Sequence, residues 1–303
     1  MHWKANNNTI IFDNNFNTKL DIKLIFRYEI IIFSNYTLNI KLFESYKNNN
    51  FDYLIGFGSI FNQDVSNLPS TVTQLTFGYA FNQNVSKLPC SLTHLTFDSN
   101  FNQDVSSLPH SLTYLIFGYA FNKDVSKLPQ NLTHLTFDSN LNQDVSKLPQ
   151  GITHLTFGAA FNKNLSKLPC SLTHLVIGSQ YIQQITLHSN IKYLKLDYDK
   201  PNIINYLPNS IVELELGHSF YSQIDNLPTS IKKLVIYKDG SYNADLNCLP
   251  SFIEELHLNC DYKKRILCIP SNLKKLVCYK NYPYINDFVM CEIETYEKLN
   301  DWM

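Results

Sequence analysis

The sequence is short of charge: 17% of its 303 residues are Asp, Glu, Lys or Arg, and they sum to a net −1. Residues 1–50 carry +2, residues 51–180 carry −1 and residues 181–303 carry −2. No segment forms a basic arm, so a phosphate backbone gains little electrostatic grip, and nucleic acid is not the expected partner. Long apolar runs are missing as well. Stretches such as "IIIF" at 30–33 are far too short to span a bilayer. The opening "MHWKANNNTI" lacks the apolar segment of a signal peptide, so the reading is a soluble, cytoplasmic chain with no membrane partner. There is no Gly-rich phosphate loop, no pair of catalytic carboxylates, no nucleophile elbow and no C-x-x-C pair. The chain is therefore expected not to be an enzyme and to hold no metal and no cofactor.

What is present is repetition. Phe61, Phe81, Phe101, Phe121, Leu141 and Phe161 recur with a period of 20 residues, each followed by Asn. Leu–Pro pairs recur at 68–69, 88–89, 108–109, 128–129, 148–149 and 168–169. A leucine recurs at 75, 95, 115, 135, 155 and 175, and continues as Leu194, Leu214, Leu234, Leu256 and Leu276, with Ile55 as a plausible first member. About twelve such units fill residues 51–282. A longer period is superposed, because "GYA" at 78–80 and 118–120 alternates with "DSN" at 98–100 and 138–140. A fixed period of about 20 residues over many copies is the mark of a solenoid.

One unit can be read physically. Leu95, Thr96 and Phe97 alternate in, out and in, which is a short strand. Proline after leucine fixes φ and removes a donor, which suits an arc that feeds no ladder. A single unit buries too few side chains to offset its own ordering, so units must stack. The expected fold is a β-rich solenoid, a leucine-rich-repeat-like right-handed coil with one short parallel strand per repeat, capped at both ends. Residues 1–50 are the N-terminal cap, with "TIIF", "IKLIF" and "EIIIF" as candidate strands. Residues 283–303 are expected to form a capping helix, because Met290, Ile293 and Tyr296 fall at helical spacing.

The L-x-x-L-x-L pattern of Leu92, Leu95 and Phe97 resembles leucine-rich repeats. The fuller phrase, as in "LPCSLTHLTFDSNFNQ", resembles the FNIP repeat family, a leucine-rich-repeat relative found in social amoebae and giant DNA viruses. The likeness is strong over 57–178 and weaker over 179–282. It departs from the family in that the tetrad reads FNQD, FNQN or FNKD. The resemblance implies an interaction scaffold and, for a viral member, a place in the host cytoplasm. Some members carry an N-terminal F-box, which gives the alternative reading of residues 1–50 as a worn F-box and of the chain as a ubiquitin-ligase adaptor.

Several residue columns are candidates for chemistry. Asn62, Asn82, Asn102, Asn122, Asn142 and Asn162 are read as an amide ladder, each side chain bonding backbone of the adjacent coil. His94, His134, His154 and His174, with Gln74 and Tyr114 in register, should stack about 5 Å apart on the outward strand face. No Cys or carboxylate shares that column, so zinc is not expected there. Of the seven cysteines, Cys248 and Cys268 hold one repeat position on adjacent coils, while Cys260 and Cys278 are placed in or beside inward positions. Glu213/Glu215, Lys232/Lys233, Glu254/Glu255 and Lys274/Lys275 alternate in sign from unit to unit and should favour correct stacking.

The outward face of the earlier units carries no charge. It reads Gln74/Thr76, His94/Thr96, Tyr114/Ile116, His134/Thr136, His154/Thr156 and His174/Val176, with Tyr79 and Tyr119 just beyond the strands. A weakly charged stripe containing Tyr and His has the composition of an interface core. These residues are the candidate binding surface for a protein partner of a monomeric chain, with Tyr114 as its centre.

Overall fold

A computed structural model describes the backbone of residues 3–6, 9–12, 30–33 and 54–56, and residues 60–199, 203–238 and 240–297. The chain forms two compact units, Met1–Phe157 and Gly158–Met303. The division falls inside the repeat block, between copies that the sequence makes nearly alike.

The first unit holds β1 (Trp3–Asn6), β2 (Thr9–Phe12), β3 (Ile30–Phe33), β4 (Leu54–Gly56), β5 (Gln74–Thr76), β6 (His94–Thr96), β7 (Tyr114–Phe117), β8 (His134–Phe137) and β9 (His154–Phe157). β1 and β2 pair antiparallel, and every later neighbour pairs parallel in chain order. The register is set by the period: Ile55, Leu75, Leu95, Leu115, Leu135 and Leu155 are successive partners. From Leu75 onward this column is at most 1% exposed. The phenylalanines line up behind it. Phe97 stacks on Phe101 of its own coil at 3.6 Å between ring centroids and on Phe117 of the next at 5.7 Å. Such parallel stacks repeat through the unit, so the aromatic core is itself a one-dimensional array.

Residues 1–50 thus contain three strands, which supports the strand reading of "TIIF" and "EIIIF". Residues 13–29 and 34–53, which include "IKLIF" and where an F-box helix would also have to lie, are outside the described residues.

The second unit holds β10 (His174–Ile177), β11 (Tyr193–Leu196), β12 (Glu213–Leu216), β13 (Lys233–Ile236), β14 (Glu255–His257), β15 (Lys275–Tyr279) and β16 (Glu292–Tyr296), all parallel in chain order. Its inward aromatic column contains tyrosines, among them Tyr181, Tyr242 and Tyr262, each at most 2% exposed. Burial pushes the Tyr181 phenol up to about 12.

The expected C-terminal helix is not formed. A 3-10 turn at Ile285–Asp287 leads into β16, which pairs with β15 over five residues. The open edge of β15 offers a row of backbone donors and acceptors that a strand can satisfy and a helix cannot. The helical spacing also had little to bury, since Met290 is 91% exposed and Val289 is 80% exposed.

A glycine in the "GYA" turn has a steric reason. After β7 the backbone of Gly118 lies so close to the preceding coil that a Cβ there would sit 2.4 Å from the Asp98 carbonyl carbon and 2.5 Å from its oxygen. Only a residue without a side chain fits over that turn. Gly118→Ala is therefore expected to destabilise by about 1–3 kcal/mol through backbone displacement. Gly151→Ala, whose Cβ would meet nothing nearer than 3.4 Å, is expected to change stability by less than about 0.5 kcal/mol. Thermal melts of the two variants, side by side, check the difference.

Candidate interaction surface

Each strand places one residue of the L-T-H-L-T phrase outward at its start and one two places later. In the first unit, β5 to β9 bring Gln74, His94, Tyr114, His134 and His154 into one register column, and Thr76, Thr96, Ile116, Thr136 and Thr156 into the next. All but Gln74 are half-buried. Gln74 is a correction to the sequence reading. It is 2% exposed, and its side-chain nitrogen has no hydrogen-bond partner among the described residues. It sits at the N-terminal end of the column, on the strand next to β4, and is enclosed rather than presented. Tyr79 and Tyr119 stand clear of the strands at 56% and 54% exposure. His174 and Val176 take the equivalent half-buried places on β10 of the second unit.

The first column is a stack of flat rings. His94 lies over Tyr114 at 5.5 Å between centroids, Tyr114 over His134 at 5.5 Å, and His134 over His154 at 4.2 Å. The coil spacing dictates this, because in-register parallel strands repeat at about 4.8 Å and leave the rings little freedom to turn.

A second device fixes the imidazoles, and it was not foreseen from the sequence. The hydroxyls of Thr93, Thr133 and Thr153 donate to the backbone carbonyls of Thr73, Thr113 and Thr133, one coil earlier. The same oxygens lie 2.9, 3.0 and 2.9 Å from Nδ1 of His94, His134 and His154. The contact between each hydroxyl oxygen and Nδ1 fixes the orientation of the ring. The repeated Thr–His dipeptide was the available signal. Burial, aided by the charge His134 would carry, holds the His94 imidazole below its usual range, which favours the neutral form.

The Asn column is the ladder expected. Oδ1 of Asn62, Asn82, Asn102, Asn122 and Asn162 accepts from the backbone N–H of residues 82, 102, 122, 142 and 182, at 2.9–3.1 Å. Gln83, Gln103 and Gln143 reinforce it by donating to the same asparagines. The column is structural, and its side chains are committed to neighbouring coils.

The strand face of the second unit differs in kind. Lys233 lies 3.0 Å from Glu213 and 4.0 Å from Glu255 across the ladder, and Lys275 reaches Glu294 at 2.6 Å. Lys232, Glu254 and Lys274 form a parallel row one residue before the strands, with contacts of 3.0 and 2.6 Å. Lys195 pairs with Glu215, which also accepts from the Tyr193 hydroxyl at 2.8 Å. These charges satisfy one another along the sheet.

Nowhere among the described residues do three or more His, Cys, Asp or Glu come together in a way that could hold a metal ion. No described helix is long and apolar enough to cross a membrane. Cys260 and Cys278 are buried, as their inward positions require, and all seven cysteines are free thiols.

The FNIP Repeat family model matches residues 81–120, 121–159, 144–180 and 182–219. No curated protein matches the chain. Among solved structures the chain is similar to a circular leucine-rich-repeat protein, CroV588, at 29% identity and a TM-score of 0.71. The match covers 93% of this chain and 42% of CroV588, so the chain spans less than half the length of that protein. The register of coils, the buried leucine column and these matches agree: the chain carries FNIP repeats over residues 81–219, on a leucine-rich-repeat-like β-solenoid.

Proposed function

We propose that the chain is a non-enzymatic scaffold that holds a protein partner on the outward strand face of its first unit. The observation that carries this reading is the contrast between the two faces. On β11 to β16 the second unit places ion pairs that satisfy one another, whereas the first unit places half-buried Tyr, His, Ile and Thr without a charged side chain. Uncharged, aromatic-bearing surface is cheap to desolvate, and interface cores are enriched in it. The ubiquitin-ligase adaptor reading gains no support, because the described parts of residues 1–50 are strands.

Thr136→Arg tests the proposal. A guanidinium in mid-stripe must be desolvated unpaired on docking, so proteins captured from the native cell on the immobilised full chain should fall at least about tenfold. Lys147→Glu, on an exposed arc away from the strands, should leave capture unchanged. Equal capture by wild type and Thr136→Arg, with both melting alike, rules this face out.

A further inference from the structure

Cys248 and Cys268 are both exposed, and both sit in the second unit at the same point of consecutive coils. Each is followed by an apolar residue and a proline, as Leu249–Pro250 and Ile269–Pro270. Each proline carbonyl then accepts from the N–H three residues on, at 3.2 Å for Ile253 and 3.1 Å for Leu273, so the two turns have the same form. Their alignment is pinned on both sides. Just before the cysteines, Asn247 Oδ1 accepts from the Leu267 N–H at 2.5 Å. Just after them, the Asn272 N–H donates to the Ser251 carbonyl at 3.2 Å. In-register coils lie about 4.8 Å apart, inside the span of about 4.4–6.8 Å that disulfide-linked Cα atoms occupy. Side chains in register point the same way, and both turns are exposed.

We infer that Cys248 and Cys268 form a redox-responsive dithiol that closes into a disulfide across two coils, by exchange with a low-molecular-weight disulfide. The Cys248 thiolate attacks one sulfur of the small disulfide, forming a mixed disulfide and releasing the first small thiolate. The Cys268 thiolate then attacks Cys248 Sγ, and the bond to the small group breaks, releasing the second. The two protons lost by the cysteines end on the two small thiols. The protein pair is oxidised by two electrons, and the small disulfide is reduced by the same two. The resulting ring contains the whole of β14 and ties its coil to the next. The other thiols are placed differently. Cys260 and Cys278 are buried, and burial holds the Cys278 thiol at about 11. Cys90 and Cys170 are exposed, but the same position one coil away is Ser70 or His110 for the first, and Gln150 or Ser189 for the second.

The full chain is titrated with oxidised glutathione, quenched by alkylation and mapped without reduction. Cys248 and Cys268 should appear in one linked peptide, about 2 Da lighter than the two thiols, at oxidant levels about tenfold below those that cap Cys90 and Cys170. In Cys248→Ser, the linked peptide should vanish and Cys268 should instead gain a single glutathione adduct of about 305 Da. Separate adducts on Cys248 and Cys268 in the wild type, with no linked peptide at any oxidant level, overturn the inference. So does a linkage through either cysteine to a second chain in place of the internal bond.

Discussion

Leu135→Asp is expected to unfold the first unit at room temperature or to lower its melting point by tens of degrees. Leu135 is 1% exposed, between Leu115 and Leu155 in the buried column. The carboxylate would have no cation and no inward donor beside it, because its neighbours in the column are leucines. Burying a group of that kind costs several kcal/mol even when it protonates to avoid the charge, and the lost leucine packing adds about 2–5 kcal/mol. Domains have only about 5–15 kcal/mol to lose. The array makes matters worse, since each coil is covered only by its neighbours and a defect in one uncovers two. Circular dichroism melts of wild type and variant decide the point, and a variant melting within a degree or two of wild type would refute the buried column.

Tyr114→Ala should do the opposite, sparing the fold and weakening the partner. Its ring is half-buried on the outward face, stacked between His94 and His134 and outside the buried leucine column. Its loss should therefore move the melting point by only a few degrees. On the proposed surface it is the central aromatic, flanked by two imidazoles, and truncating such a residue costs about 2 kcal/mol or more of binding, roughly thirtyfold in Kd. Lys147→Ala, on an exposed arc, should change Kd less than about twofold. The measurement is a titration of each purified variant with the partner recovered by capture. If Lys147→Ala abolished binding and Tyr114→Ala did not, the partner would dock on the arcs and the proposed face would be wrong.

Much of this was legible because repetition turns sequence spacing into spatial register. Once Leu75 through Leu155 fall 20 residues apart, parallel pairing of one coil on the next follows, and with it the Asn ladder and the ring stack. The failures occur where the period lapses. Ile293 pairs with Leu276 only 17 residues back, so β16 lay outside the repeat frame, and helical spacing filled the gap. A strand signal was present even so: Glu292 and Glu294 repeat the spacing of Glu213 and Glu215 in β12. Gln74 was misread for a related reason. Its place in the column is outward by register, but burial depends on what lies beside the column, and the period says nothing of that. The Thr–His contacts escaped because they rest on how two adjacent side chains turn, which only the three-dimensional network decides. The charge rows were half read. The sign alternation was visible, but Lys232, Glu254 and Lys274 precede their strands by one residue, so there are two rows where the pairs suggested one.

The side-chain bonds between coils of the first unit have a direction. The Asn102 N–H donates back to Asn82, Gln103 to Asn82, Thr93 to Thr73 and Ser111 to Leu92, each from the later coil to the earlier. The backbone ladder runs both ways, as the Phe77 N–H donates forward to the Thr96 carbonyl, but every finished coil offers these side-chain and turn acceptors on the side that faces the next one. A chain made from its N-terminus extends as a crystal face does, each arriving layer meeting an ordered template and becoming the template in turn. Loss of an acceptor such as Asn82 would accordingly be felt by the coil that follows it and not by the coil before.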